Sequence, residues 1–434
     1  MFIWNPHYAL RAGRRGACRF GLVLTLAGSA ATTLAAPPGF LSFDTALALA
    51  LHENPALVAS AAKIDAARQA AIPAGALPDP KLALGIDNVP TDGTDRFSLT
   101  RDFMTMRRIS VMQEVPNRDK RHAREAVAQG RIEVAEAEAR IVRLTVQRET
   151  AVAWISRYTL EQQLLRIDAL FAENRLLDAA VRARFAAGQG RADETVAPRQ
   201  EAALLEERRD ELIARREQAV ALLKRWIGAA AEAPLAGAPP DWSIARDTLM
   251  QHLAHHPALT AFDPLGRVLD AEADEAQAAK QSDWSVALSY QQRGPQFSNM
   301  AGIEFSFDLP VFTGTRQDPR IAAKRAERAA LDAEREAMLR EHAAQLAGDL
   351  AEYERLSRAV SRQRTVLLPL ADEKAALTLA AWRGGKGSLS DLITARRERI
   401  DAELKATALE GERRQMAARL HFAYDEPLLS EESK

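Results

Sequence analysis

The chain carries a single cysteine, Cys18, among its 434 residues. It lies so near the N-terminus that no disulfide can staple the body of the fold and no set of thiolates can hold a metal. Aromatics are scarce at 6%, and charge of one sign is lacking too, because 58 Lys and Arg nearly balance 59 Asp and Glu. A net charge of −1 gives whole-chain electrostatics no hold on nucleic acid. Past the N-terminal region no run approaches the roughly 20 apolar residues that a spanning helix needs. No nucleophile, base and acid fall in catalytic order, and no phosphate loop or carboxylate pair stands out. The sequence therefore supports neither catalysis nor a bound cofactor.

What is present is alanine, arginine, glutamate and leucine in quantity, the composition of long helices with solvated faces. Arg11, Arg14, Arg15 and Arg19 precede an apolar run over residues 20–34, followed by Ala35, Ala36 and Pro37. That is the layout of a secretory signal peptide over residues 1–35. Cys18 precedes the run, whereas a lipid attachment cysteine would follow it.

The remainder reads as one plan stated twice, over residues 36–236 and 237–424, with a tail at 425–434. Leu51-His52-Glu53-Asn54-Pro55-Ala56-Leu57 aligns with Leu253-Ala254-His255-His256-Pro257-Ala258-Leu259. Strands are expected at 82–89 and 107–115, then at 284–292 and 302–309. Long helices follow at 118–187 and 320–383, and glycine turns lead to return helices at 194–227 and 392–421. An internal repeat governs the fold before local detail does.

In the second copy Trp284, Val286, Leu288 and Tyr290 alternate with polar or small residues. Ile303, Phe305, Phe307 and Leu309 alternate with Glu304, Ser306 and Asp308 in the same way. A period of two places each set on its own face. An apolar face toward lipid and a polar face toward water suit a membrane β-strand. The first pair is weaker: Leu82, Leu84 and Ile86 alternate with Ala83, Gly85 and Asp87, but Met106, Arg107 and Arg108 blur the start of its second strand.

A helix over 118–187 would extend roughly 105 Å at 1.5 Å per residue. Ile132, Ala135, Ala139, Val142 and Val146 follow the 3,4 spacing of a coiled-coil seam, and Ala322, Ala326, Ala329 and Ala333 repeat it in the second copy. Pro369 is expected to kink or break that second helix. Long helix, turn and shorter return make an antiparallel hairpin.

Four strands cannot close a barrel, and an open sheet edge in lipid leaves unpaired backbone groups. Several copies must share one, either two giving eight strands or three giving twelve. Strand arithmetic does not choose between them.

The double repeat, the Asn54-Pro55 and His256-Pro257 breaks, the segment Phe307-Asp308-Leu309-Pro310-Val311-Phe312 and the turn from Gly385 to Ala395 together resemble the TolC family of outer membrane efflux proteins. The nearer likeness is to outer membrane components of cobalt-zinc-cadmium type heavy-metal pumps. The resemblance implies a mainly α fold with a small β part: a homotrimer with a 12-stranded barrel in outer membrane lipid and a helical tunnel across the periplasm. It also implies a periplasmic adaptor (membrane fusion) protein and an inner membrane pump of the resistance-nodulation-division type.

On this reading Asp87, Glu304, Ser306 and Asp308 line the barrel lumen, and Trp284, Val286, Leu288, Tyr290, Ile303, Phe305, Phe307 and Leu309 face lipid. The resemblance places the adaptor contact at the tip turns, here Gly188, Gly190 and Arg191 with Gly385, Gly387, Ser388 and Leu389. It places a periplasmic gate at acidic side chains just past the turns, matched by Asp193 and Asp391. The same positions suit helix N-caps, a role open to Asp193, Ser388 and Ser390. His252, His255 and His256 flank the proline break that the first copy fills with Glu53-Asn54-Pro55, so they read as loop residues and not as a metal site. Trp154, Trp226 and Trp382 fall in helices as packing anchors, while Trp284 suits an interfacial aromatic girdle. The function expected is a passive exit duct for heavy-metal cations or small toxic compounds. The rival is a soluble periplasmic coiled-coil adaptor or scaffold of an export system.

Overall fold

A computed structural model describes residues 39–424. The expected leader at 1–35 and tail at 425–434 lie outside the described residues. Helix α1 (Phe43–Glu53) begins where Ser42 Oγ accepts the Thr45 N–H at 3.1 Å, and α2 (Pro55–Ala71) where Asn54 Oδ1 accepts that of Ala56 at 2.9 Å. Pro55 is preset for the first helical turn and gives up a donor that would have no partner there. Strands β1 (Lys81–Asp87) and β2 (Met106–Val115) lead into α3 (Arg118–Ala186), an unbroken helix of 69 residues. A 3₁₀ turn at Asp193–Val196 opens the return helix α4 (Ala197–Ile227).

The same order then recurs. Short helices α5 (Arg246–His252) and α6 (Pro257–Thr260) precede α7 (Phe262–Ala278). Strands β3 (Trp284–Gln292) and β4 (Met300–Phe307) follow, then α8 (Thr313–Arg362), α9 (Leu368–Arg383) and α10 (Leu389–Tyr424). Helix α8 starts seven residues before the sequence expectation and carries Pro319 inside it. The lost hydrogen bond falls in its second turn, where a long helix tolerates it. The expected interruption at Pro369 is present. A π-helical turn over Gln363–Leu367 separates α8 from α9 and puts Pro369 in the first turn of α9. The buried Gln363 donates from Nε2 to Ala402 O at 3.0 Å, tying that turn to α10.

The four strands form one antiparallel sheet in the order β1-β2-β3-β4, so the β2–β3 pairing joins the two copies. β4 ends at Phe307, leaving Asp308 and the exposed Leu309 just beyond it. The outer edges of β1 and β4 are unpaired in the single chain.

The helices pack through small side chains, but not in the phase that the alanine spacing suggests. On the first part of α3 Ala123, Val127, Gly130 and Ala137 are buried, Val127 and Gly130 against Val268 and Ala271 of α7. A Cβ on Gly130 would stand 2.7 Å from Val268 Cγ2, so glycine sets that close approach. Ile132, Ala135, Ala139 and Val142 are only half-buried, and Val146 alone of the expected seam is buried. On α8 the covered positions are Ile321, Lys324, Arg328, Leu331 and Arg335, whereas Ala322, Ala326, Ala329 and Ala333 are exposed. The physical reason is that Lys and Arg stems cover apolar surface while their heads find carboxylates. Lys324 Nζ meets Glu272 at 2.9 Å, and Arg328 meets Asp270 at 3.4 Å.

Candidate functional site: a two-faced sheet and a pair of helical tips

Register sorts the sheet side chains into two sets. The rows Leu84, Ile109, Tyr290, Ala301 and Leu82, Val111, Leu288, Ile303 run straight across all four strands. Val286 pairs with Phe305, and Trp284 with Phe307, so the apolar face continues to the end nearest the helices. Its larger members are exposed, Leu84 at 73% and Phe307 at 62%. The opposite face carries Asp87, Ser110, Ser285, Ser289, Glu304 and Ser306. Sequence reading missed its cations. Arg108 pairs with Asp87 at 3.1 Å, and Lys81 forms an ion pair with Glu114. The alternation of β2 held that signal, but adjacent arginines concealed which one belonged to which face. Glu304 lies opposite Ala287, with no cation across from it.

The base of the sheet is fixed to the helices by Asp283. Its carboxylate accepts the backbone N–H of Asn117 at 2.8 Å and its side-chain amide at 2.9 Å, and pairs with Lys120 Nζ at 2.6 Å. Burial pushes this carboxyl upward, but the Lys120 and Asn117 donors outweigh it and hold it below the usual range. Asn117 meanwhile caps α3 by accepting the Lys120 N–H at 2.8 Å. One junction thus orients the start of α3 and the strand entry of the second copy.

At the far end both hairpins reverse through the same geometry. Gly188 and Gly385 each adopt a φ of 71°, the left-handed conformation that favours glycine. Gln189 N–H bonds to Arg184 O at 2.9 Å, and Lys386 N–H to Ala381 O at 2.9 Å. Matching turn to turn makes Arg191 the counterpart of Ser388, and Glu194 that of Asp391. Asp193 therefore corresponds to Ser390, one residue from the expected match, because the first copy is one residue shorter between its second glycine and its aspartate. Ser388 Oγ caps α10 by accepting the Asp391 N–H at 3.1 Å, whereas Glu194 Oε2 reaches back to the Arg191 N–H at 3.4 Å. These are the two halves of a capping box divided between the copies.

Asp193 is held by both arms of Arg191, at 3.0 Å each. That guanidinium keeps its carboxyl below the ordinary aspartate range. Asp391 is exposed in the first turn of α10. The two turns share a cleft of about 490 Å³ lined by Arg191, Asp193, Glu194, Ser388, Ser390 and Arg397. Leu389, expected at the contact surface, is instead 2% exposed and packs with Leu177, Val181 and Trp382. An apolar side chain at the first position of α10 is taken up by a core that the two hairpins share, Leu177 and Val181 coming from α3 and Trp382 from α9. Arg184 closes this tip by stacking over Trp382 at 4.7 Å and donating to its carbonyl at 2.6 Å.

The histidines do not converge. Among the described residues no group of three or more His, Cys, Asp or Glu gathers as metal ligands. His256 takes the role of Asn54, its Nδ1 accepting the Ala258 N–H at 3.2 Å ahead of Pro257. It also packs against His342, ring centroids 4.2 Å apart, and against Tyr424 at 5.2 Å. Burial, with the nearby His342 and Arg148, pushes its pKa down to about 4. A histidine depressed in the fold adds stability that is complete above its unfolded pKa near 6.5 and is lost as pH falls toward 4. The expected result is a melting temperature that drops over this window and a flatter profile for His256→Asn, which keeps the cap. Identical pH profiles for the two proteins would remove this role.

No family model matches the chain, and no curated protein matches it. Solved structures do. A membrane protein from Pseudomonas aeruginosa superposes with a TM-score of 0.74 at 18% identity, over 88% of this chain and 90% of that one. The outer membrane protein VceC of Vibrio cholerae gives 0.71 at 17% over 88% and 95%, and the open state of the Neisseria gonorrhoeae MtrE outer membrane channel gives 0.70 at 18% over 88% of both. The chain has the fold of TolC-like outer membrane channels. Within this channel fold the sheet adjoins the first turn of α3 and the tip turn follows its last, which separates the two-faced surface from the tips. Among the described residues no helix is long and apolar enough to cross a membrane.

Proposed function

We propose that the protein is the passive outer membrane duct of a tripartite efflux system. Three copies share a 12-stranded barrel, and their hairpins form a tunnel that meets an adaptor protein and, through it, an inner membrane pump of the resistance-nodulation-division type. The observation that carries this reading is the sheet itself: an exposed apolar face across four strands, a polar opposite face, and two unpaired edges. An open edge is costly in lipid, and pairing β4 of one copy with β1 of the next removes it. The cargo is proposed as heavy-metal cations or small toxic compounds. Asp87, Glu304 and Ser306, with Asp308 past the strand end, supply a wet lumen without tight sites, and weak sites favour exit.

The gate is proposed at Asp391 with Glu194, its counterpart by turn register, and Asp193 beside them neutralised by Arg191. Three copies of an unpaired carboxylate around one axis would repel one another and attract cations. Replacing Asp391 with alanine is expected to raise the single-channel conductance of the purified oligomer in planar bilayers by roughly twofold or more, since a ring of charge and bulk is removed from the constriction. Unchanged conductance would leave Asp391 as a residue that complements the dipole of α10. A purified protein that stays monomeric, soluble without detergent and indifferent to vesicles would instead favour a periplasmic scaffold.

A further inference from the structure

Register leaves one formal charge on the apolar face of the sheet. Along β2, Met106, Arg108 and Ser110 fall on the polar face, which places Arg107 with Ile109, Val111, Gln113 and Val115 on the opposite one. Its row neighbours are Ile86 on β1 and Gln292 on β3. Arg108, one residue along, is neutralised by Asp87 on the other face. Arg107 is exposed, and neither its guanidinium nor the Gln292 carboxamide has a partner among the described residues. The next row holds Leu84, Ile109 and Tyr290, whose hydroxyl bonds Asn299 Nδ2 at 2.8 Å. Leu84, Ile86, Arg107, Ile109, Tyr290 and Gln292 are among the residues lining one shallow depression, which also takes in the Asp87-paired Arg108. This row lies at the sheet end remote from the helices, opposite the Trp284–Phe307 pair.

A bare cation facing hydrocarbon is costly, whereas the same cation at headgroup depth gains from an anion. Guanidinium offers a phosphate two parallel N–H donors, Gln292 and the Tyr290–Asn299 pair supply neutral hydrogen-bonding groups beside it, and the aliphatic floor suits acyl chains. From this geometry, and resting on the channel reading above, we propose that Arg107 and Gln292 bind the phosphate of an outer-leaflet lipid whose chains lie over Leu84, Ile86 and Ile109. The site commits to a lipid and not to free phosphate, because half of it is apolar and opens onto the face that meets the bilayer.

The test uses the full chain purified in detergent and exposed to phosphorylated lipid A, to the same lipid after enzymatic removal of its phosphates, or to inorganic phosphate, with retained ligand counted by native mass spectrometry. The phosphorylated lipid should be retained about tenfold more than its phosphate-free form, the scale of one charge-assisted contact. Arg107→Gln should abolish the difference, Arg107→Lys should keep part of it, and inorganic phosphate should leave no adduct. Equal retention of the two lipids by the natural protein would overturn the proposal. So would an undiminished preference in Arg107→Gln, or retention of inorganic phosphate matching that of the lipid. Conductance of the unsubstituted protein separates the two readings. A protein that enters no bilayer loses both, and one that conducts without a phosphate preference loses only the lipid site.

Discussion

Leu288→Arg is expected to prevent assembly in the outer membrane while the same substitution one residue later, Ser289→Arg, leaves assembly intact. Leu288 lies in the middle of β3, in the row Leu82, Val111, Leu288, Ile303, and is 58% exposed in the single chain. An arginine on the lipid face of a barrel costs about 2–4 kcal/mol at the bilayer midplane, and a trimer would bear that cost three times. Ser289 points to the opposite face, opposite Ser110 and Gly302, where an added cation meets water. The measurement is the fraction of heat-modifiable oligomer in outer membrane extracts, followed by conductance. Leu288→Arg should be nearly absent from the oligomer band, and Ser289→Arg should be present with altered ion selectivity. Equal assembly of both variants would mean that the apolar face does not meet lipid, and the channel reading would fall with it.

Trp154→Ala is expected to destabilise the helical body by about 3–5 kcal/mol, the usual cost of emptying a large buried aromatic site. Trp154 is fully buried on α3. Phe43 meets it edge-on at 5.5 Å, Tyr158 stacks on it at 5.4 Å, and its indole N–H donates to Leu41 O at 3.4 Å. That carbonyl also accepts the Ala236 N–H at 3.1 Å, while Leu41 N–H bonds to Pro234 O at 2.7 Å. One side chain therefore holds α1, α3 and the segment that joins the two copies. Thermal unfolding followed by circular dichroism should show a large loss for Trp154→Ala and a smaller one for Trp154→Phe, which keeps an aromatic ring and gives up the hydrogen bond. A loss below about 1 kcal/mol would show that neighbouring groups close over the site.

The strands were legible because a period of two over eight or nine residues is hard to produce by other means, and the Trp284 to Tyr290 alternation is uninterrupted. The long helices were legible because nothing in residues 118–186 breaks one. Helix phase was harder to read. Alanine is so common in α3 and α8 that several registers offer a 3,4 stripe, and the one used depends on which partner helix is there to pack. Val268 and Ala271 of α7 select Val127 and Gly130, and the stripe from Ala322 to Ala333 stays uncovered in one protomer. At the tips, Leu389 reads as a surface residue in sequence because its neighbours are polar. Only the positions of Trp382 on α9 and of Leu177 on α3, in the other hairpin, show that it is interior.

Local pattern by itself determined the class of fold, since alternation, helix length and the glycine turns are properties of neighbouring residues and need no distant partner. Tertiary structure decided everything that depends on contact between distant segments. It joined the two copies through β2 and β3, paired Arg108 with Asp87, aligned Glu194 with Asp391, and set a π-turn just before Pro369. Periodicity fixes how a segment repeats along its own axis, whereas register and phase are set by the surface it meets, and that surface comes from residues far away in the chain.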